Sequence, residues 1–181
     1  MIMLEELVIV LHRQQRKLSK TQYPKYMADL IVSKRTADGD LAGFPSAEAQ
    51  RLQRPYGGKI CIGSSGTLQL RERGALTGAG TWTHQYANAA NTLNSDDTVL
   101  KGQLSMLWFR DADLPVPQRH GRGPAPLFHK GYLVVEGLNA VRATDAYNGR
   151  TLWEFALPGI LHPYNADHIV GVSGTGSNFC A

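Results

Sequence analysis

The most constraining stretch of this chain is a short hairpin signal between residues 143 and 155. Asn148-Gly149 predicts a two-residue type I′ turn, in which both central residues have positive φ. Alternation after the turn places every second residue on one face of a strand, namely Thr151, Trp153 and Phe155. The residues before the turn alternate in the same way: Val141, Ala143 and Asp145. We therefore predict an antiparallel hairpin with an aromatic second strand.

The pattern A-x-D-A-x-x-G-x-x-L-W in this stretch resembles the repeat of pyrroloquinoline-quinone-type (PQQ-like) β-propellers. That family includes quinoprotein alcohol dehydrogenases and a non-catalytic propeller lipoprotein of outer-membrane assembly. The resemblance makes five residues a structural repeat motif: Ala143, Asp145, Gly149, Leu152 and Trp153. It implies that Trp153 packs between neighbouring blades, whereas Asp145 is expected to accept hydrogen bonds from amides of the turn.

The likeness extends upstream, so that it covers residues 81–181. Residues 125–135 match the preceding hairpin of a blade, with Gly131 in its turn. Residues 82–86 and 88–92 resemble the W-x-x-x-Y…N-T segment that opens many of these propellers. Residues 107–109, Leu-Trp-Phe, fit the first long strand, and residues 111–126 form an irregular loop between that strand and the hairpin.

Length limits how much of a propeller these residues build. A blade takes roughly 40–50 residues and closure takes about 4–8 blades. The expected fold class is therefore mainly β, an incomplete β-propeller of about one to two PQQ-like blades. Because an unclosed propeller exposes strand edges, we expect the sequence to be a fragment of a longer protein. Assembly from several chains is the alternative.

The first third of the chain has a different pattern, that of a partial α/β, Rossmann-like segment. An apolar run at residues 6–11 and a predicted strand at residues 28–33 precede a helix over residues 47–52, capped by Ser46. The turn Arg54-Pro-Tyr-Gly-Gly58 ends this helix, and residues 59–63 form the next strand. Strand, helix, glycine turn and strand are typical of a parallel β-α-β unit.

Residues 26–63 resemble the later half of class I S-adenosylmethionine-dependent methyltransferases, where an L-K-P-G-G turn precedes the fifth strand. Such enzymes need a glycine-rich first turn to bind the cofactor, and no such loop lies upstream of Tyr26. The resemblance thus implies a remnant. We divide the chain into a partial α/β segment (1–73), a Gly-rich linker (74–80) and the start of the propeller (81–181).

Composition and charge exclude several function classes. Hydrophobic residues make up 43% of the chain and charged residues 19%, as in a folded protein. The formal net charge is +4, but the basic residues are scattered apart from Arg13, Arg16 and Lys17, so no nucleic-acid surface is predicted. No apolar run is long enough to be a transmembrane segment. Glu5 and Glu6 stand where a signal peptide needs positive charge; the family resemblance implies a periplasmic or secreted location, and localisation stays open.

No metal centre or catalytic set is predicted. Cys61 and Cys180 form no C-x-x-C pair, and free thiols are favoured over a disulfide. His162 and His168 lack the spacing and partners of a zinc site. Residues 171–177 are Gly-rich but have no P-loop lysine, so we interpret them as a flexible turn.

The expected function is that of a non-catalytic binding or interaction scaffold. Its partner is another protein or the remaining propeller blades of the full-length chain. The alternative is a part of an enzyme, either a quinoprotein oxidoreductase or a propeller-fused methyltransferase. A cofactor, PQQ with calcium or S-adenosylmethionine, is expected only if the full-length protein is such an enzyme.

Overall fold

The computed structural model describes residues 8–11, 23–33, 46–63, 66–110, 114–116 and 124–160. In these ranges the protein is mainly β, as predicted, with two four-stranded sheets and one short helix. The chain divides into two compact units, residues 1–76 and 77–181, and this division falls inside the Gly-rich stretch 74–80. No helix in the described part of the chain is long and apolar enough to cross a membrane.

The first unit contains a mixed sheet with the strand order β1-β2-β3-β4. Its elements are β1 (Val8–Leu11), β2 (Leu30–Ser33), helix α1 (Ser46–Leu52), β3 (Lys59–Ile62) and β4 (Gln69–Glu72). Strands β1, β2 and β3 are parallel, and β4 is antiparallel to β3. The predicted parallel unit is therefore present as β2-α1-β3, although its first strand begins two residues later than expected.

The core of this unit lies between α1 and one face of the sheet. Ala49 and Leu52 of the helix are fully buried, as is Ile31 of β2. The register pairs Ile31 with Ile60, so both side chains lie on the face that the helix covers. Alternation along β3 adds Ile62 to the same cluster.

The turn between α1 and β3 is held by a buried ion pair. Arg54 Nε donates to Asp29 Oδ1 at 2.6 Å, and Arg54 Nη1 donates to the Tyr56 carbonyl at 2.9 Å. A Cβ on Gly58 would lie 2.4 Å from the Arg54 carbonyl oxygen, so the turn requires glycine at this position. The Arg-Pro-Tyr-Gly-Gly sequence is thus a compact structural turn that positions β3 beside β2.

The second unit contains an antiparallel sheet with strands in sequential order, β5-β6-β7-β8. These strands are β5 (Leu127–His129), β6 (Tyr132–Glu136), β7 (Ala140–Asp145) and β8 (Thr151–Ala156). Trp82 forms an isolated bridge to Phe128 beside β5, whereas β8 is the outer strand of this sheet in the part of the chain that the structure describes. The prediction of a long strand at residues 107–109 is wrong, because these residues lie outside any strand.

The turn between β5 and β6 has the type I′ backbone that was predicted for Asn148-Gly149. Lys130 and Gly131 connect the two strands, with φ values of 47° and 84°. Positive φ at both central residues is the pattern of a type I′ turn. The predicted position of Gly131 in a turn is therefore confirmed.

Several sequence-based predictions concern positions outside the described residues. They are those for Cys180, His162, His168 and the Gly-rich segment 171–177. Cys61, in β3, is a half-buried free thiol.

Candidate functional site

The candidate site is the turn between β7 and β8, which contains the predicted Asp145 and Gly149. Asp145 is completely buried. Its Oδ1 accepts hydrogen bonds from the backbone amides of Tyr147 at 2.9 Å and Asn148 at 3.2 Å. The Gly149 amide donates to the Asp145 carbonyl at 2.9 Å. The carboxylate therefore accepts hydrogen bonds from the turn, as the sequence predicted.

The predicted type I′ geometry of this turn is wrong. Gly149 has a positive φ, 76°, but Asn148 does not. The Asp145 amide donates to the Arg150 carbonyl at 2.8 Å, so four residues lie between this closing pair rather than two. The physical reason is the Asp145 side chain, which stabilises a wider turn by holding two successive amides. Asn148 instead accepts a hydrogen bond from the Arg150 amide through Oδ1, at 3.1 Å.

An indole covers this turn, and it belongs to Trp108. Its Nε1 donates to the Ala146 carbonyl at 2.9 Å. A Cβ added to Gly149 would lie 2.6 Å from Trp108 Cε3, so the ring packs directly on the glycine backbone. Arg110 Nη1 also donates to Thr151 Oγ1 at 2.5 Å. Two features therefore require glycine at position 149: its positive φ and the close approach of the Trp108 ring.

Trp108 and Arg110 are the contacts that sequence reasoning missed. The Trp108–Ala146 hydrogen bond joins residues 38 positions apart, and no local pattern indicates such a pairing. The tight space required at Gly149 was the only available signal, since a small residue beside a turn indicates the close approach of another group.

The register of β7 and β8 contains an irregularity that changes the predicted faces. Ala143 pairs with Trp153, but Thr144 pairs with Thr151, so Leu152 is an extra, half-buried residue. Adjacent residues of β7 point to opposite faces and paired residues share one. Thr151 and Trp153 therefore lie on opposite faces, and the prediction that they share a face is wrong. Trp153 and Phe155 do share one, since their partners are Ala143 and Val141.

We call this side of the sheet the Trp153 face. Its side chains come from three neighbouring strands and include two buried carboxylates: Tyr132, Val134, Glu136, Val141, Ala143, Asp145, Trp153 and Phe155. Val141 and Ala143 in the central strand are buried, whereas Trp153 is 43% exposed and Phe155 is 61% exposed. Trp153, the residue expected to pack between blades, is thus at the open side of this unit.

The opposite face of the same strands is polar where β7 and β8 meet. Arg142 pairs with Glu154 in the register, and Arg142 Nε donates to Glu154 Oε2 at 2.7 Å. Arg142 is largely covered, but Glu154 is exposed. The two faces of this edge therefore differ, one being aromatic and the other carrying an ion pair.

The electrostatic feature with the clearest cause in this unit is Asp97, in the loop before the sheet. Hydrogen bonds from the Leu100 and Gly80 amides, followed by that of Val99, lower the pKa of this carboxyl against a smaller opposing effect of burial. The donor–acceptor distances are 2.8 Å from Leu100, 3.0 Å from Gly80 and 2.9 Å from Val99. The Asp97 carboxylate thus stabilises this loop by accepting hydrogen bonds from backbone amides.

The described residues hold no group of three or more histidine, cysteine, aspartate or glutamate side chains placed to bind a metal. The chemistry available at the turn is therefore hydrogen bonding and packing. Comparison with protein-family models, curated proteins and solved structures finds no match.

Proposed function

We propose that residues 81–181 form part of a PQQ-like β-propeller and that this propeller is a non-catalytic binding scaffold. The observation that carries the proposal is the sequential four-stranded antiparallel sheet of β5 to β8, the arrangement of a propeller blade. The sequence motif lies within this sheet, since Asp145 ends the third strand and Trp153 lies on the fourth.

The Trp153 face supports the scaffold interpretation. Exposed aromatic side chains on an outer strand leave apolar area in contact with water, and each such ring contributes binding energy when it is covered. Tyr132, on the same face, is 46% exposed. A neighbouring sheet packed against these three rings would bury them, which is how one blade contacts the next in this proposal.

The contacts of the motif residues also favour a structural role over a catalytic one. Asp145 has its Oδ1 occupied by turn amides, and Gly149 is covered by Trp108. Groups that are buried and hydrogen-bonded in this way stabilise a fold, whereas a catalytic acid or base must reach a substrate.

Sedimentation of the full chain tests this proposal, because a second copy can cover the Trp153 face in the absence of other blades. We expect concentration-dependent association that the double substitution Trp153→Ser/Phe155→Ser weakens by about tenfold or more, a factor that corresponds to ~1.4 kcal/mol. Phe109→Ser is the matched control, since Phe109 is also aromatic, in the same unit and 78% exposed. Equal effects of the control and the double variant would contradict the proposal.

The alternative function, part of an enzyme, has one specific observation in its favour. The parallel β2-α1-β3 unit and its Arg54–Gly58 turn lie in the segment that resembles methyltransferases. Calorimetric titration of the chain with S-adenosylmethionine, and separately with PQQ and Ca²⁺, distinguishes the two functions. The scaffold proposal predicts no saturable binding, whereas a stoichiometric complex with either cofactor would favour the enzyme.

A further inference from the structure

The first unit contains a groove that the proposed function does not use. It has a volume of about 430 Å³ and lies between α1 and the β3–β4 edge of the sheet. Its lining includes three polar residues, two isoleucines that form its floor and a basic strand residue: Ser46, Gln50, Gln53, Ile60, Ile62 and Arg71. Ser46 and Gln50, which are four residues apart, lie on one side of α1, and Gln53 directly follows the helix.

The floor and the basic wall share one face of the sheet. Ile60 pairs with Arg71 across the β3–β4 register, so their side chains point to the same side. This is also the side on which α1 packs, since Ile60 belongs to the core cluster with Leu52. Arg71, an exposed residue, thus lies beside Ile60 on the face of the sheet that α1 covers.

Arg71 differs from the other cation of the groove. Arg73 Nη1 donates to the Gln50 and Gln53 carbonyls at 2.8 and 2.7 Å, and its guanidinium lies 4.9 Å from the centre of the Tyr26 ring. The Arg71 side chain makes no hydrogen bond or ion pair within the described part of the chain. Glu72, which also borders the groove, pairs with Lys59 in the register and so points to the opposite face. Among the described residues that line the groove, Arg71 is therefore the charged side chain that points to this face without an ion-pair partner.

We propose that this groove binds a small amphipathic ligand with one carboxylate. The apolar part would lie on Ile60 and Ile62, and the carboxylate would accept hydrogen bonds from Arg71, whose planar guanidinium matches a carboxylate in geometry. The groove volume is in the range of small-molecule sites, about 300–1,000 Å³. Gln50 and Ser46, both exposed at the helix side, provide polar groups for the solvent-facing part of the ligand. This proposal goes beyond the scaffold function and does not depend on it.

Octanoate is the probe for a titration of the isotope-labelled full chain, followed by amide chemical shifts. We expect saturable shifts at Ile60, Ile62 and Arg71. Arg71→Gln should raise the Kd by about tenfold through loss of the charge-assisted hydrogen bonds. Lys59→Gln is the control, because it removes the same charge from an exposed residue on the opposite face of β3, and it should leave the Kd unchanged.

Octanamide, which has the same tail but no charge, separates carboxylate recognition from burial of the tail. Wild-type protein should bind it about as weakly as Arg71→Gln binds octanoate, and the variant should not weaken it further. The proposal is overturned if octanoate does not saturate by ~10 mM, or if the shifts lie away from β3 and β4. Equal affinity of wild-type protein for octanoate and octanamide would overturn it too, and that comparison needs no variant.

Discussion

Gly149 occupies a position where a methyl group meets two separate obstacles. Its φ is 76°, and Trp108 Cε3 lies 2.6 Å from where a Cβ would be. Gly159, in the same unit, also has a φ of 76° but has no atom within 4 Å of its Cβ position. The two glycines therefore separate the cost of the left-handed backbone from the cost of the adjacent ring.

We expect Gly159→Ala to lower the free energy of unfolding by about 1–2 kcal/mol, the cost of a left-handed conformation for alanine. Gly149→Ala should lower the free energy of unfolding by ~1–3 kcal/mol more than Gly159→Ala does, because the added methyl group overpacks against the Trp108 indole. Urea unfolding of the two variants measures the difference. Equal losses would mean that Trp108 does not pack on this turn.

Asp145 is the second residue of the turn with a specific role. Asp145→Ala leaves the Tyr147 and Asn148 amides without their acceptor and should cost about 1–3 kcal/mol of unfolding free energy. Asp145→Asn keeps a carbonyl oxygen at the same position and should cost less. Urea unfolding measures the loss of unfolding free energy in each variant. A smaller loss for Asp145→Ala than for Asp145→Asn would contradict the assigned hydrogen bonds.

Asp97 predicts a pH dependence of the second unit. Since amide hydrogen bonds lower the pKa of this carboxyl, its contribution to stability is present above the unfolded pKa of about 3.9 and is lost as the pH falls through the lower folded value. Wild-type protein should therefore be more stable than Asp97→Asn at pH 7, and this gap should narrow below about pH 4. Unfolding curves at several pH values measure it. A stability difference between wild-type protein and Asp97→Asn that grows as the pH falls would contradict this prediction.

At the scale of elements, α1 illustrates how tertiary packing holds a helix too short to be stable alone. It has seven residues, whereas isolated helices shorter than about 12–15 residues are marginal in water. Ala49 and Leu52 fix it to the sheet, and the Arg73 guanidinium satisfies carbonyls at its C-terminal end. The helix was predictable from its sequence, but Arg73 lies 20 residues beyond Gln53 and gave no local signal.

Leu52→Ala should therefore destabilise the first unit by about 2–5 kcal/mol, through lost burial and a residual cavity. Leu68→Ala is the matched control, because Leu68 is in the same unit and is 55% exposed, whereas Leu52 is fully buried. Hydrogen exchange of the β3 amides gives the opening free energy for each variant. Similar values for both would contradict the packing of α1 on the sheet.

The two hairpin turns show what sequence reasoning can and cannot resolve at this scale. Asn148-Gly149 has the stronger local preference for a type I′ turn, yet the pair with two positive φ values is Lys130-Gly131. The existence of both turns was predictable from their glycines. The type of the second turn was not, because it depends on the amides that donate to the Asp145 side chain, and the bulge at Leu152 was not predictable either.

At the scale of the whole molecule, the sequence correctly predicted a mainly β protein and a parallel β-α-β unit in its first part. The division into two compact units falls between residues 76 and 77. The contacts that complete each unit were not predictable, because Trp108, Arg110 and Arg73 act across long sequence separations. Apolar patterning encodes strands and their faces, whereas such contacts depend on the assembled fold.

Within the described residues β8 is the outer strand of the β5–β8 sheet, and the central claim of our proposal is that its outer side is open. Hydrogen exchange of individual amides in the dilute, monomeric chain tests this most directly. We predict slow exchange throughout β7 and for residues 132–134 of β6, which have paired strands on both sides. The β8 amides that do not donate to β7 should exchange fast. Protection of β8 as complete as that of β7 would contradict the claim, because the strand would then already have a partner on its outer side.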